Sequence, residues 1–152
     1  MKLYIVGWKR SGKDHAGEYL REAIGLEYES SSYFAAKHFI FSLMNTIGWD
    51  YADVDECFED RHSNRKFWFD AITRFNTPDR NKEELQAARD RWSDCLVIWI
   101  DAEGRVEPES EDSCTITKDQ ADIIIDNKLG KEEFNDKLYR LAMLLEAYKK
   151  LV

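Results

Sequence analysis

The chain has 152 residues, 43% of them hydrophobic and 34% charged, which is room for one core and too much apolar material for a disordered chain. Its formal net charge of −8 excludes a general nucleic-acid surface, so any basic site must be built locally from clustered Arg and Lys. No apolar run approaches membrane-spanning length and no signal peptide is expected, while the odd, widely spaced Cys57, Cys95 and Cys114 point away from disulfides or zinc and toward a reducing cytoplasm.

Lys2–Val6 reads as a buried strand of a parallel sheet. Directly after it comes Gly7-Trp8-Lys9-Arg10-Ser11-Gly12-Lys13-Asp14, and then a helical run from Lys13 to Ile24 closed by Gly25. Strand, glycine-bounded loop, Gly-Lys and helix form the context of a phosphate-binding P-loop. Gly7 and Gly12 let the backbone curl so that successive N–H groups meet one anion. The helix adds its unsatisfied amides and the positive end of its dipole, and Lys13 would reach the β- and γ-phosphates. Asp14 stands where Ser or Thr is usual; it keeps a hard oxygen for Mg²⁺, and Lys9 and Arg10 offset its charge beside the phosphates. The expected nucleotide contacts are therefore Gly7, Lys9 to Asp14 and His15.

Leu26–Ser30 alternates and is predicted as a short second strand. Ser31 and Ser32 are placed to cap a helix over Tyr33–Ile47 with Phe34, Phe39, Ile40, Leu43 and Met44 inward. An acidic run from Asp50 to Glu59 carries a short helix. In the helix predicted next, Arg61 and Arg65 lie four apart and share a face that Trp68 and Ile72 continue. Paired guanidiniums there suit bidentate phosphate recognition; the alternative is an exposed helix trading ion pairs with Asp60. A polar helix over Asn81–Trp92, a buried strand over Cys95–Ile100 and a Gly/Pro/Glu-rich loop holding Arg105 follow. A strand over Ala121–Asn127 and an amphipathic helix from Glu132, with Phe134, Leu138, Leu141, Leu144, Leu145 and Tyr148 as core or interface, close the chain. Strands alternating with amphipathic helices predict an α/β three-layer fold with a mostly parallel sheet.

The run Lys9-Arg10-Ser11-Gly12-Lys13-Asp14 resembles the loop of bacteriophage deoxynucleoside monophosphate kinases, and the Gly-Lys-Asp loop of animal-type phosphomevalonate kinases is related. The resemblance is specific over the first twenty or so residues and general in the order of elements beyond; the ending Asp126-Asn127 also resembles the phage enzymes. It implies a single P-loop kinase domain over residues 1–152, with an acceptor-binding helical insertion at about 31–76 and a short lid-like loop at about 102–114. It implies ATP and Mg²⁺ as cofactors and a (deoxy)nucleoside monophosphate as acceptor. Ser31, Ser32, Arg61, Arg65 and Trp68 would bind the acceptor, with Lys13, Arg61 and Arg65 catalytic and Asp14 at the metal. Partners are then small nucleotides, with neither nucleic acid nor membrane and a homodimer as a candidate assembly, in a cytoplasm that is the host's if the chain is phage-encoded. Other readings change the acceptor, to phosphomevalonate or dephospho-coenzyme A, or keep nucleotide binding without catalysis. The sheet of such kinases has five parallel strands, of which four are legible. The fifth belongs between Phe75 and Cys95, so either the sheet is rearranged or residues are absent between Pro78 and Glu83.

Overall fold

The computed structural model describes residues 1–75, 85–86, 89–90, 94–108 and 116–151. The chain divides into two units, Met1–Tyr28 with Pro78–Val152, and Glu29–Thr77.

The first unit is built on a sheet of β1 (Lys2–Val6), β2 (Cys95–Asp101) and β3 (Ile123–Asp126), parallel throughout and in that spatial order among the described residues. The three strands, expected to be parallel and adjacent or near-adjacent, are parallel neighbours, with Leu3 opposite Leu96 and Ile98 opposite Ile123. β2 is covered on both faces, which is why it reads as an unbroken apolar run. Its pleat sends alternate residues opposite ways. Ile98 and Ile100 join Ala16, Leu20, Phe134, Leu138 and Leu141 in one cluster; Val97 and Trp99 join Val6, Leu85 and Ile116 in another. The first cluster packs α1 (Lys13–Ile24) and the C-terminal helix, α6 (Lys131–Lys149), against the sheet. Each large side chain buried this way contributes roughly 1.5–3 kcal/mol. No helix among the described residues is long and apolar enough to cross a membrane.

The predicted strand over Leu26–Ser30 does not form; residues 25–30 have no regular structure. Tyr28 leaves the extended path to lay its ring against Gly17 of α1, where a Cβ would meet ring carbon Cε2 at 2.1 Å. Ser30 is spent on a helix cap. Pro78 to Glu83, where residues were expected to be absent, lies outside the described residues, as does Cys114; Cys57 and Cys95 are free thiols.

The second unit is helical. α2 (Ser31–Ala35), a π-helical turn (Ala36–Ile40) and α3 (Phe41–Thr46) run end to end, followed by α4 (Val54–Glu59), a 3₁₀ turn (Asp60–His62) and α5 (Arg65–Phe75). The cap of α2 is Ser30, whose Oγ accepts from the Tyr33 N–H at 3.1 Å, not the expected Ser31 or Ser32. Ile40, Met44, Cys57 and Trp68 form its core, while Phe34, expected inward, is 44% exposed.

At the carboxyl end of β2, Asp101 is buried and accepts from Lys118 Nζ at 2.6 Å, with Lys128 Nζ at 3.2 Å. Burial alone would raise its pKa, but these ammonium groups and the Glu103 N–H outweigh it and hold the carboxyl below its ordinary 3.8. The stabilisation is therefore full above that value and is lost as pH falls through the lowered one. Asp101→Asn is expected to cost about 1–3 kcal/mol at neutral pH, no more because both lysines reach solvent. Denaturant titrations of the two proteins should converge in acid; a gap that persists below the range in which Asp101 protonates would contradict the ion-pair account.

Candidate phosphate-binding site

β1 delivers the chain to Gly7, whose φ of 144° turns it sharply under the end of β2. A Cβ on Gly7 would stand 2.6 Å from the Ile100 carbonyl oxygen, so only glycine allows this approach. Trp8 leaves the loop on its outer side and meets Trp99 edge-on, with ring centroids 6.3 Å apart. The loop closes on itself where the Ser11 N–H donates to the Trp8 carbonyl at 3.0 Å. Arg10 sits in the left-handed region at φ 63°. Gly12, at φ 104°, opens α1 and has no side chain to cap the helix, so the first-turn amides are not claimed by a capping residue. A Cβ there would fall 2.7 Å from Asn127 Nδ2.

Lys13 turns back over this loop and donates from Nζ to the Gly7 carbonyl at 2.6 Å and the Trp8 carbonyl at 2.8 Å. From outside, Asn127 Nδ2 donates to the Ser11 carbonyl at 2.6 Å. Arg105 clamps the same region, with Nη2 donating to the Arg10 and Ser11 carbonyls at 3.1 Å and Nε to the Asn127 carbonyl at 2.8 Å. In a trans peptide the carbonyl and the following N–H point opposite ways. Holding the Ser11 oxygen outward therefore turns the Gly12 N–H the other way. Ser11 Oγ is buried without a hydrogen-bond partner among the described residues, a polar atom left for something else to satisfy.

Beside the loop lies a cavity of about 240 Å³, walled by Arg10, Gly12, His15, Arg105, Asn127, Gly130, Lys131 and Phe134. Its charged walls are Arg10, Arg105 and Lys131, with no carboxylate among the lining residues, although the chain carries −8 overall. This is the locally built basic pocket that an acidic chain requires. His15 is held at its edge by Asn135, Nε2 to Oδ1 at 2.6 Å, and lies near the Phe134 ring.

Comparison of the chain with family models, with curated proteins and with solved structures finds no match. Gly7, Ser11, Gly12 and Lys13 come together at the end of β1, and Arg10 and His15 face the cavity beside them. Asp14 is exposed, and its Oδ1 accepts from the Tyr28 hydroxyl at 2.8 Å. Burial first, and then Asp14, push the Tyr28 hydroxyl well above its ordinary value, so it stays a proton donor to that carboxylate.

The expected arginine face is not formed. Arg61 lies in the 3₁₀ turn ahead of α5, with its guanidinium 3.7 Å over the Phe58 ring and Nη1 donating to the Phe58 carbonyl at 2.8 Å. Arg65 begins α5 and is exposed. Asp60, which the alternative reading pairs with them, accepts from Tyr51 and Asn64. Ser63 and Asn64 form a turn between the 3₁₀ turn and α5, so Arg61 and Arg65 stand in different elements. Trp68, expected as a pocket wall, is 4% exposed in the core of its unit. Ser32 follows the true cap, and the Ser31 side chain lies outside the described part.

The residues sequence reasoning missed are Asn127, Gly130, Lys131, Phe134 and Tyr28, and it passed lightly over Arg105. The Asp-Asn ending of β3 was the one local signal for any of them.

Proposed function

We propose that the protein transfers the γ-phosphoryl group of ATP to a small phosphorylated acceptor, a (deoxy)nucleoside monophosphate. The observation that carries this reading is the closed loop from Gly7 to Lys13 at the end of a parallel strand, with the Lys13 ammonium folded over it and the start of α1 beneath it. Such a loop is complementary to a polyphosphate, and the glycine positions leave a cradle that any Cβ would fill. In the transfer an acceptor phosphate oxygen bonds to the γ-phosphorus as the bond to the ADP oxygen breaks. Catalysis then consists of alignment and charge neutralisation. Lys13 would move from the loop carbonyls to the β- and γ-phosphates, and the amides of Gly12 and the first turn would hold the donor. Arg10 and Arg105, on the cavity wall, add positive charge.

Asp14 would supply the one carboxylate for a magnesium ion otherwise held by water and substrate oxygens, and the ion would neutralise charge on the transferred group. Lys9 and Arg10, on the same loop, would offset the charge of that carboxylate.

A panel of nucleoside monophosphates assayed with ATP and Mg²⁺ tests the proposal, with turnover expected for one or more of them. Transfer only to phosphomevalonate or dephospho-coenzyme A would move the acceptor. ATP binding with no transfer to any small acceptor would leave a nucleotide-binding protein without catalysis.

The proposal keeps Arg65 and Arg61 as acceptor contacts, in unequal ways. Arg65→Lys is expected to raise the acceptor KM, or lower kcat if the contact strengthens in the transition state, with ATP affinity little changed. Arg61→Lys should in addition lose about 0.5–1 kcal/mol of stability through its stacking on Phe58. Wild-type kinetics in both variants would discard the acceptor assignment.

A further inference from the structure

Arg105 is exposed, yet its hydrogen-bonding edge is already spent. Nε donates to the Asn127 carbonyl at 2.8 Å, and Nη2 donates to the Arg10 and Ser11 carbonyls, both at 3.1 Å. A guanidinium grips a phosphate through a pair of nitrogens, either Nε with Nη2 or the two Nη groups. Both pairs include Nη2, whose hydrogens serve two loop carbonyls here. While these bonds hold, Arg105 has no fork left for an anion.

The turn that presents Arg105 is itself tied to the sheet. Asp101, the last residue of β2, accepts the Glu103 N–H through Oδ1 at 3.1 Å, and its carbonyl accepts the Asn127 N–H at 2.7 Å. The chain then turns at Gly104, φ 83°, where the Ala102 carbonyl accepts from the N–H groups of Arg105 and Val106 at 3.0 and 3.1 Å. One buried residue thus fixes both side chains that hold the Ser11 carbonyl, Arg105 from the turn and Asn127 from the end of β3. Their effect on the loop follows from peptide planarity. Holding the Arg10 carbonyl aims the Ser11 N–H at the Trp8 carbonyl, which closes the loop, and it keeps Arg10 at a φ of 63° that a non-glycine residue adopts only when its surroundings enforce it. Holding the Ser11 carbonyl turns the Gly12 N–H away from Arg105.

We infer that Arg105 is a positioning residue, a brace that sets the loop amides in place before an anion arrives. This role rests on the phosphate binding proposed for the loop. It differs from clamping a phosphate, because the planar shape of the side chain matters and its charge alone does not suffice. A lysine ammonium cannot span the carbonyls of Arg10, Ser11 and Asn127. Bracing raises affinity by removing the cost of ordering the loop on binding.

Calorimetric binding of inorganic pyrophosphate to the full chain, and amide hydrogen exchange of the ligand-free chain followed by NMR, test this. Arg105→Lys, which keeps the charge, is expected to weaken pyrophosphate binding about tenfold, and Arg105→Ala at least as much. In both variants the Ser11 N–H should exchange at least about tenfold faster, as its bond to the Trp8 carbonyl loosens, while the amides of β2 keep wild-type protection and show an intact fold. Wild-type affinity in Arg105→Lys would make the role one of charge, and unchanged Ser11 exchange would mean that the loop holds itself; either result overturns the brace. A wild-type chain that binds no pyrophosphate would overturn the phosphate-binding role instead, and Ser11 exchange would still decide whether Arg105 braces the loop.

Discussion

Lys13→Ala is expected to lower phosphoryl transfer by on the order of 10²–10³-fold or more, while the chain still folds. The ammonium is already folded over the loop, on the Gly7 and Trp8 carbonyls. Those hydrogen bonds are only partly buried, and their loss should cost about 1–3 kcal/mol in total. A bound polyphosphate would instead lose its point charge at the position where charge develops in the transition state. The measurements are steady-state turnover with the active acceptor at saturating ATP, and a denaturant titration of the same sample. Turnover within a fewfold of wild type would count decisively against the kinase reading. Lost activity with a lost fold would shift attention to Lys13→Met, which keeps the stem of the side chain.

Gly7→Ala should be strongly destabilising, because the atom its methyl meets belongs to the backbone. Its Cβ would lie 2.6 Å from the Ile100 carbonyl oxygen, a backbone atom of the central strand that is itself fixed by the pairing of β2 with β3. The φ of 144° adds strain that an L side chain rarely accepts. Overpacking and backbone strain together should cost about 2–4 kcal/mol, and any relaxation would deform the loop and weaken ATP binding. Gly25→Ala is the control. Gly25 also has positive φ, at 66°, but nothing lies within 4 Å of its added Cβ, so a loss of only about 1 kcal/mol is expected. Equal midpoint shifts for the two variants would mean that Gly7 does not approach β2 so closely in solution.

The strand–loop–helix geometry from Gly7 to Lys13 was legible because its residues are contiguous. Gly7, Gly12 and Lys13 lie within one turn of chain between a strand and a helix, so local backbone rules suffice to bring them together. The parallel strands were legible for a similar reason, since burial on both faces leaves a continuous apolar run in β2. Arg61 and Arg65 show the limit of periodicity. Spacing predicts a shared face only if the helix is unbroken, and here a turn at Ser63 and Asn64 separates Arg61 from Arg65. Leu26–Ser30 failed likewise, because alternation cannot reveal that Gly17 has opened a berth for Tyr28.

What the chain determined by itself, then, is a glycine-bounded loop between a parallel strand and a helix in an α/β unit. Tertiary structure alone decided the wall beside that loop. Arg105, Asn127 and Lys131 are separated from Ser11 by about a hundred residues of chain, and they converge only because β2 and β3 end side by side next to β1. It also decided which side of α6 the sheet covers, leaving Leu144 and Tyr148 outside although they continue the apolar stripe. Helical spacing defines how apolar a face is; the width of the neighbouring sheet decides how much of it is buried.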